Sequence, residues 1–180
     1  CLVGSEMCIR DRSKILDMIT KGSEDYVREQ IKNGVDAIMI FDTWGGLLSG
    51  DNYEKFSLNY IQRIISSTYT EGVPVIYYSR SKSNFDKLKN LDIDCIGISS
   101  ENNLGDMYKF FDEKFAIQGN LNTDILREDK DTIKKGVLKT LETFPFETGH
   151  VFNLGTGITP DIHPDKVSYL VDQVRELSVK

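Results

Sequence analysis

Five short apolar runs punctuate the chain, at residues 37–41, 73–78, 95–98, 115–118 and 151–154. Val, Ile, Phe and Tyr dominate them, and they lack the polar alternation of a half-exposed sheet. Such runs predict strands buried on both faces, as in a parallel sheet covered by helices. Apolar residues recur at helical spacing between the runs. Tyr53, Phe56, Tyr60, Ile61, Ile64 and Ile65 form one stripe; Ile133, Val137, Leu141 and Phe144 form a second. Val167, Leu170, Val171, Val174 and Leu177 form the last. Asp129 and Asp131 suit the N-terminus of the second helix, and Pro164 suits the first turn of the last. Gly34, Gly72 and Gly149 lie where the chain must leave a helix and turn into a strand. The alternation predicts an α/β fold, with topology restricted by the handedness of β-α-β crossovers. Two architectures stay open on pattern alone. A doubly wound sheet would be complete with five strands; a (β/α)8 TIM barrel would need three more.

Composition narrows the partners. One globular domain is expected for 180 residues with 39% hydrophobic and 10% aromatic content. The net charge is −6 with no basic block, which argues against nucleic acid, whose phosphates need clustered Lys and Arg. No apolar run approaches the roughly 20 residues of a membrane helix. Cys1, Cys8 and Cys95 show neither metal-ligand spacing nor an even disulfide framework, the usage expected in a reducing cytoplasm. Residues 1–12 have neither clean periodicity nor the layout of a signal peptide. They resemble a translated sequencing-adapter scar and are expected to be non-native or disordered, leaving 13–180 as the folded domain.

In either architecture the working groups sit just beyond the strand C-terminal ends. Those positions hold Asp42, Thr43 and Trp44; Ser79, Arg80 and Ser81; Ser99, Ser100 and Glu101; Gly119, Asn120 and Asn122; and Asn153, Gly155, Thr156 and Gly157. The inventory offers hydrogen bonds and close backbone approach, but no nucleophile–base pair. Gly155-Thr156-Gly157 lacks the third glycine of a dinucleotide fingerprint, and its loop runs through Pro160 and Pro164 before any helix. The two histidines, His150 and His163, stand at opposite ends of that loop and make no metal set.

Three strand endings together carry a resemblance: Phe41-Asp42-Thr43-Trp44-Gly45-Gly46, Gln118-Gly119-Asn120-Leu121, and Asn153-Leu154-Gly155-Thr156-Gly157. In this order they resemble the uroporphyrinogen decarboxylase family from about Ser13 to the C-terminus. The resemblance implies the barrel, with these strands as its fourth to eighth and the chain as a C-terminal fragment. It also implies a carboxy-lyase of porphyrin and heme biosynthesis, located in the cytoplasm and homodimeric at full length. Such enzymes remove four acetate carboxyls of uroporphyrinogen III as CO2 to give coproporphyrinogen III. They need no metal or organic cofactor, and their partner is the small-molecule tetrapyrrole.

Residue by residue, Phe41-Asp42-Thr43 matches the family's Phe-[Asp/Glu]-[Ser/Thr] triplet. This implies that Phe41 and Thr43 bind substrate, the Thr43 hydroxyl reaching a carboxylate; the plainer alternative is a hydroxyl capping a turn. Thr156 stands where the family usually has a substrate-contacting His. Thr43 and Thr156 are expected to face one cleft. Ser99-Ser100 replace a common Asp-Trp pair, and Ser79-Arg80-Ser81 replace a Lys-bearing loop. No residue matches the family's catalytic Asp and Tyr or its carboxylate-binding arginines, so the fragment alone is expected to be inactive. Trp44, Tyr77, Tyr78, Gly119 and Asn120 are expected to be structural.

Two alternatives remain. A cobamide-dependent methyltransferase of the same superfamily would carry a His-x-Cys zinc motif where this chain has Tyr78-Ser79-Arg80. A non-enzymatic α/β binding module of response-regulator type would need an acidic pair near Ser13.

Overall fold

The computed structural model describes residues 2–69, 72–80, 84–144 and 149–178. Its five parallel strands are β1 (Ile38–Asp42), β2 (Val75–Ser79), β3 (Cys95–Gly97), β4 (Ala116–Leu121) and β5 (His150–Leu154). Their order in the sheet follows the chain. A doubly wound sheet reverses its order in the middle; an arc of a (β/α)8 barrel does not. The fold is therefore α/β with the strand order of a partial barrel. Two compact units divide the chain, residues 1–94 and 95–180.

In the first unit α1 (Leu2–Lys32) packs against α3 (Asn59–Tyr69), burying Thr20 and Val27. Arg63 of α3 pairs with Asp17 at 2.6 Å and with Glu24 at 3.5 Å. Residues 2–12, set apart on sequence grounds, form the first turns of α1. After β1 comes α2 (Gly50–Tyr53), which runs through a π-helical turn at Glu54–Leu58 into α3. This turn breaks the 3.6-residue period. Ser57 and Leu58 are buried alongside Tyr53, Ile61 and Ile65, whereas Phe56 and Tyr60 of the predicted stripe are half-buried. Parallel pairing sets Ile40 beside Tyr77 and Asp42 beside Ser79. A short α4 (Phe85–Leu88) follows β2.

The second unit holds α5 (Leu104–Phe110), a 3-10 turn (Thr123–Arg127), α6 (Lys130–Glu142) and α7 (Pro164–Leu177) around β3, β4 and β5. Leu121, Leu126, Ile133, Val137, Ile162 and Leu170 form its core, with Phe152, Leu154, Val167 and Val174 packed against it. Each fully buried side chain of this kind contributes about 1.5–3 kcal/mol, which is what holds α6 and α7 in place. Asp129 caps α6 by accepting the Thr132 N–H at 2.7 Å. His163 caps α7 by accepting the Asp165 N–H at 3.2 Å, with Pro164 in the first turn.

Two expectations need correction. Gly119-Asn120 is not the exit of its strand: β4 continues to Leu121, pairing Gly119 with Phe152, Asn120 with Asn153 and Leu121 with Leu154. The glycine serves close approach instead. At φ +140°, a Cβ there would lie 2.7 Å from the Ile98 carbonyl oxygen. The second concerns burial. β3 and most of β4 are buried on both faces, but β1 and β5 are only partly so, because they are the outer strands.

Candidate functional site

The end of β1 is organised by Asp42. One of its carboxylate oxygens, Oδ2, accepts the Tyr77 hydroxyl at 2.8 Å, Ser57 Oγ at 3.2 Å and, more weakly, the Tyr53 hydroxyl at 3.4 Å. The other, Oδ1, accepts the Gly45 N–H at 2.9 Å. A Cβ on Gly45 would collide with both oxygens. Tyr53 and Tyr77 are fully buried and their hydroxyls lie 3.0 Å apart. Burial pushes the Tyr53 hydroxyl up to about 12 and raises Tyr77 further, with the Asp42 charge adding to both. Both therefore remain protonated donors at neutral pH.

Thr43 follows directly. It is half-buried, and its hydroxyl bonds to no described residue, so it does not cap this turn. Strand alternation sends Phe41 to the face opposite Asp42, where it is 65% exposed with its ring 5.9 Å from that of Tyr78. Tyr77 is structural as expected, but through its hydrogen bond as well as its packing. Trp44 differs from expectation: it is 71% exposed.

The end of β5 is built differently. The Gly155 N–H donates to the Leu121 carbonyl at 2.8 Å, and a Cβ on Gly155 would lie 2.8 Å from the Ser100 Cβ. The exposed Thr156 meets the buried Thr123, whose hydroxyl reaches both the Thr156 carbonyl and the Thr156 hydroxyl. Arg127 ties down the far end of this loop. Its Nε donates to Asp161 at 2.7 Å and its Nη2 to Thr159 at 2.8 Å, and its Nη1 pairs with Asp124. The Arg127 guanidinium holds the Asp161 carboxyl well below the usual carboxylate range. Sequence reasoning passed over Thr123 and Arg127. Their only signal was a 3-10 turn close behind β4, invisible to hydrophobic periodicity.

Several other strand-end positions are tied into the fold. Asn120 is buried and donates to the Ser99 and Asn102 carbonyls at 2.9 and 2.6 Å. Asn122 accepts the Asp124 N–H, and Asn153 accepts the N–H of its neighbour Leu154. Ser79 is buried, Arg80 is exposed, and Ser81 lies outside the described residues. His150 opens β5, with its Nε2 2.8 Å from the Gly119 carbonyl oxygen and its ring between Phe144 and Phe152. Among the described residues no group of three His, Cys, Asp or Glu converges as a metal site. No helix among them is long and apolar enough to cross a membrane.

Comparison with known proteins bears on this arrangement. A uroporphyrinogen decarboxylase from Legionella pneumophila strain Paris is 36% identical over 167 residues, covering 91% of this chain and 47% of the relative. One from Ruthia magnifica is 36% identical over 170 residues, covering 92% and 49%. The chain thus spans about half the length of these relatives. Among solved structures, a methyltransferase from Methanosarcina mazei superposes with a TM-score of 0.76 at 20% identity, over 91% of this chain and 48% of that one. At that identity the likeness is one of fold. The family model for uroporphyrinogen decarboxylase (URO-D) matches residues 9–177, and the chain belongs to that family.

Proposed function

We propose that this chain supplies the C-terminal strand–helix units of a uroporphyrinogen decarboxylase, which removes the four acetate carboxyls of uroporphyrinogen III as CO2 to yield coproporphyrinogen III. The observation that carries the reading is the β1 turn, where a family-type Phe-Asp-Thr triplet leaves Thr43 half-buried with its hydroxyl bonded to no described residue. A hydroxyl held this way donates well to a carboxylate, and the substrate is rich in carboxylates. Phe41 is proposed to lie against the macrocycle. Thr156 is proposed as a second contact, weaker than the family's usual His because a hydroxyl adds no positive charge.

In the proposed chemistry the electron-rich pyrrole is protonated and accepts the electrons released as CO2 departs. A solvent-derived proton then adds to the resulting exocyclic methylene and the ring proton leaves, giving the methyl-substituted pyrrole. The reaction needs no metal or organic cofactor. Stabilising the cationic ring is a task for preorganised charge. Asp42 is unsuited to it, because its oxygens already accept bonds from within the protein. The ring-stabilising groups are therefore assigned to the part of the relatives that this chain does not match. The whole enzyme is proposed to be a cytoplasmic homodimer.

The test is a chimera in which residues 13–178 replace the matching half of the Legionella relative. Thr43→Val in that chimera is expected to raise KM about tenfold, the loss of one hydrogen bond to a charged group. Unchanged kinetics in a folded variant would contradict the substrate role of Thr43.

A further inference from the structure

The donors gathered on Asp42 come from three separate places in the first unit. Tyr77 lies on β2, Ser57 on the π-helical turn, and Gly45 within the turn that Asp42 itself begins. Three of these contacts fall on Oδ2, counting the longer one from Tyr53, whose single hydrogen is shared with the nearer Tyr77 hydroxyl, and Oδ1 accepts the Gly45 N–H. The side chain therefore works inward rather than toward a ligand. The bond from the Gly45 N–H back to Asp42 closes a small ring that encloses Thr43 and Trp44. It ties the Asp42 side chain to the backbone N–H three residues on.

Each sequence choice around the ring serves that closure. Gly45 has no Cβ, and any Cβ there would strike the carboxylate. The π-helical turn places Ser57 on the buried face beside Tyr53, in reach of Asp42; such single π turns recur at functional sites. Packing alone would be served as well by apolar residues of similar volume. Resting on the reading of this turn as a substrate contact, we propose that Asp42 is the positioning residue for Thr43. It fixes the ring so that the Thr43 hydroxyl keeps its hydrogen free for a carboxylate of the ligand.

The test uses the full 180-residue chain and two readouts. The first is hydrogen exchange of the Gly45 amide by NMR, which reports closure of the ring without any ligand. The second is quenching of Trp44, the only tryptophan in the chain, by the octacarboxylate porphyrin uroporphyrin I. Asp42→Ala is expected to abolish Gly45 protection and to weaken probe binding about tenfold, equivalent to one charge-assisted hydrogen bond. Asp42→Asn is expected to rescue both, because its amide oxygen can still accept the Gly45 N–H while the hydroxyls turn to accept from its nitrogen. In a Thr43→Val background Asp42→Ala should weaken probe binding no further, since the residue it positions is gone.

Should Asp42→Ala fail to fold, Ser57→Ala removes one donor, keeps the carboxylate, and is expected to shift both readouts part of the way. Probe binding that survives loss of Gly45 protection would overturn the proposal. So would an equal effect of Asp42→Ala with and without Thr43. A wild-type chain that does not bind the probe would instead contradict the substrate reading of the turn. Gly45 exchange would then decide by itself whether Asp42 holds the ring.

Discussion

Thr123 Oγ1 lies 2.7 Å from the Thr156 carbonyl oxygen and 2.9 Å from Thr156 Oγ1. A hydroxyl has one hydrogen, and that of Thr123 goes to the carbonyl. Thr156 is then the donor of the second bond and presents lone pairs outward. To meet a carboxylate it must first turn its hydrogen away from Thr123. The two strand ends thus differ: Thr43 has a hydrogen to give, and Thr156 has one already committed.

Thr156→His in the Legionella chimera is therefore expected to lower KM, because an imidazole N–H restores a free donor at that position. Thr123→Val should also tighten substrate binding slightly by releasing the Thr156 hydrogen. It should cost about 0.5–1.5 kcal/mol of stability for the lost hydrogen bond. Steady-state kinetics and a denaturant midpoint check both signs. A large loss of affinity in Thr156→His would mean that the pocket has been repacked around the smaller residue.

Gly155→Ala is expected to destabilise the second unit. The added methyl would press on the Ser100 backbone nitrogen and lie 2.8 Å from its Cβ, in a position that is already buried. Forced overpacking of this kind costs about 1–3 kcal/mol, read as a shift in denaturant midpoint at unchanged slope. A Gly157→Ala control, where nothing lies within 4 Å of the new Cβ, should leave the midpoint nearly unchanged.

His150 gives a pH dependence of defined sign. Burial lowers its pKa below the 6.5 of an ordinary histidine, with the bond to the Gly119 carbonyl opposing more weakly. The unfolded chain then binds more protons than the folded one between the folded value and 6.5. The stability contribution is complete above 6.5 and is lost as pH falls through that window. Chemical denaturation at a series of pH values should show the decline, and His150→Phe should flatten it. An unaltered slope in that variant would place the titration elsewhere.

Much of the fold was legible because buried strands and amphipathic helices write directly into hydrophobic pattern. Each of the five apolar runs became a strand, with starts within two residues of the reading. Less regular features were not written there. The π-helical turn changes which residues face inward without altering composition, so Ser57 went unnoticed. The partners of Asp42 lie 11, 15 and 35 residues away in sequence and meet only after the sheet forms. Gly119 misled because glycine after an apolar run reads as a turn, whereas here it admits a neighbouring carbonyl within a continuing strand. Thr43 is singled out by the triplet, but that its hydroxyl meets no described residue follows only from the three-dimensional arrangement.

Product analysis of the Legionella chimera tests the central claim most directly. Anaerobic incubation with uroporphyrinogen III, followed by chromatography of the oxidised porphyrins, counts the carboxyls that remain. The chimera is expected to yield the tetracarboxylate product by successive loss of CO2, and the 180-residue chain alone to yield none. A chimera that folds, as judged by circular dichroism and melting, yet leaves uroporphyrinogen with all of its carboxyls would contradict the account.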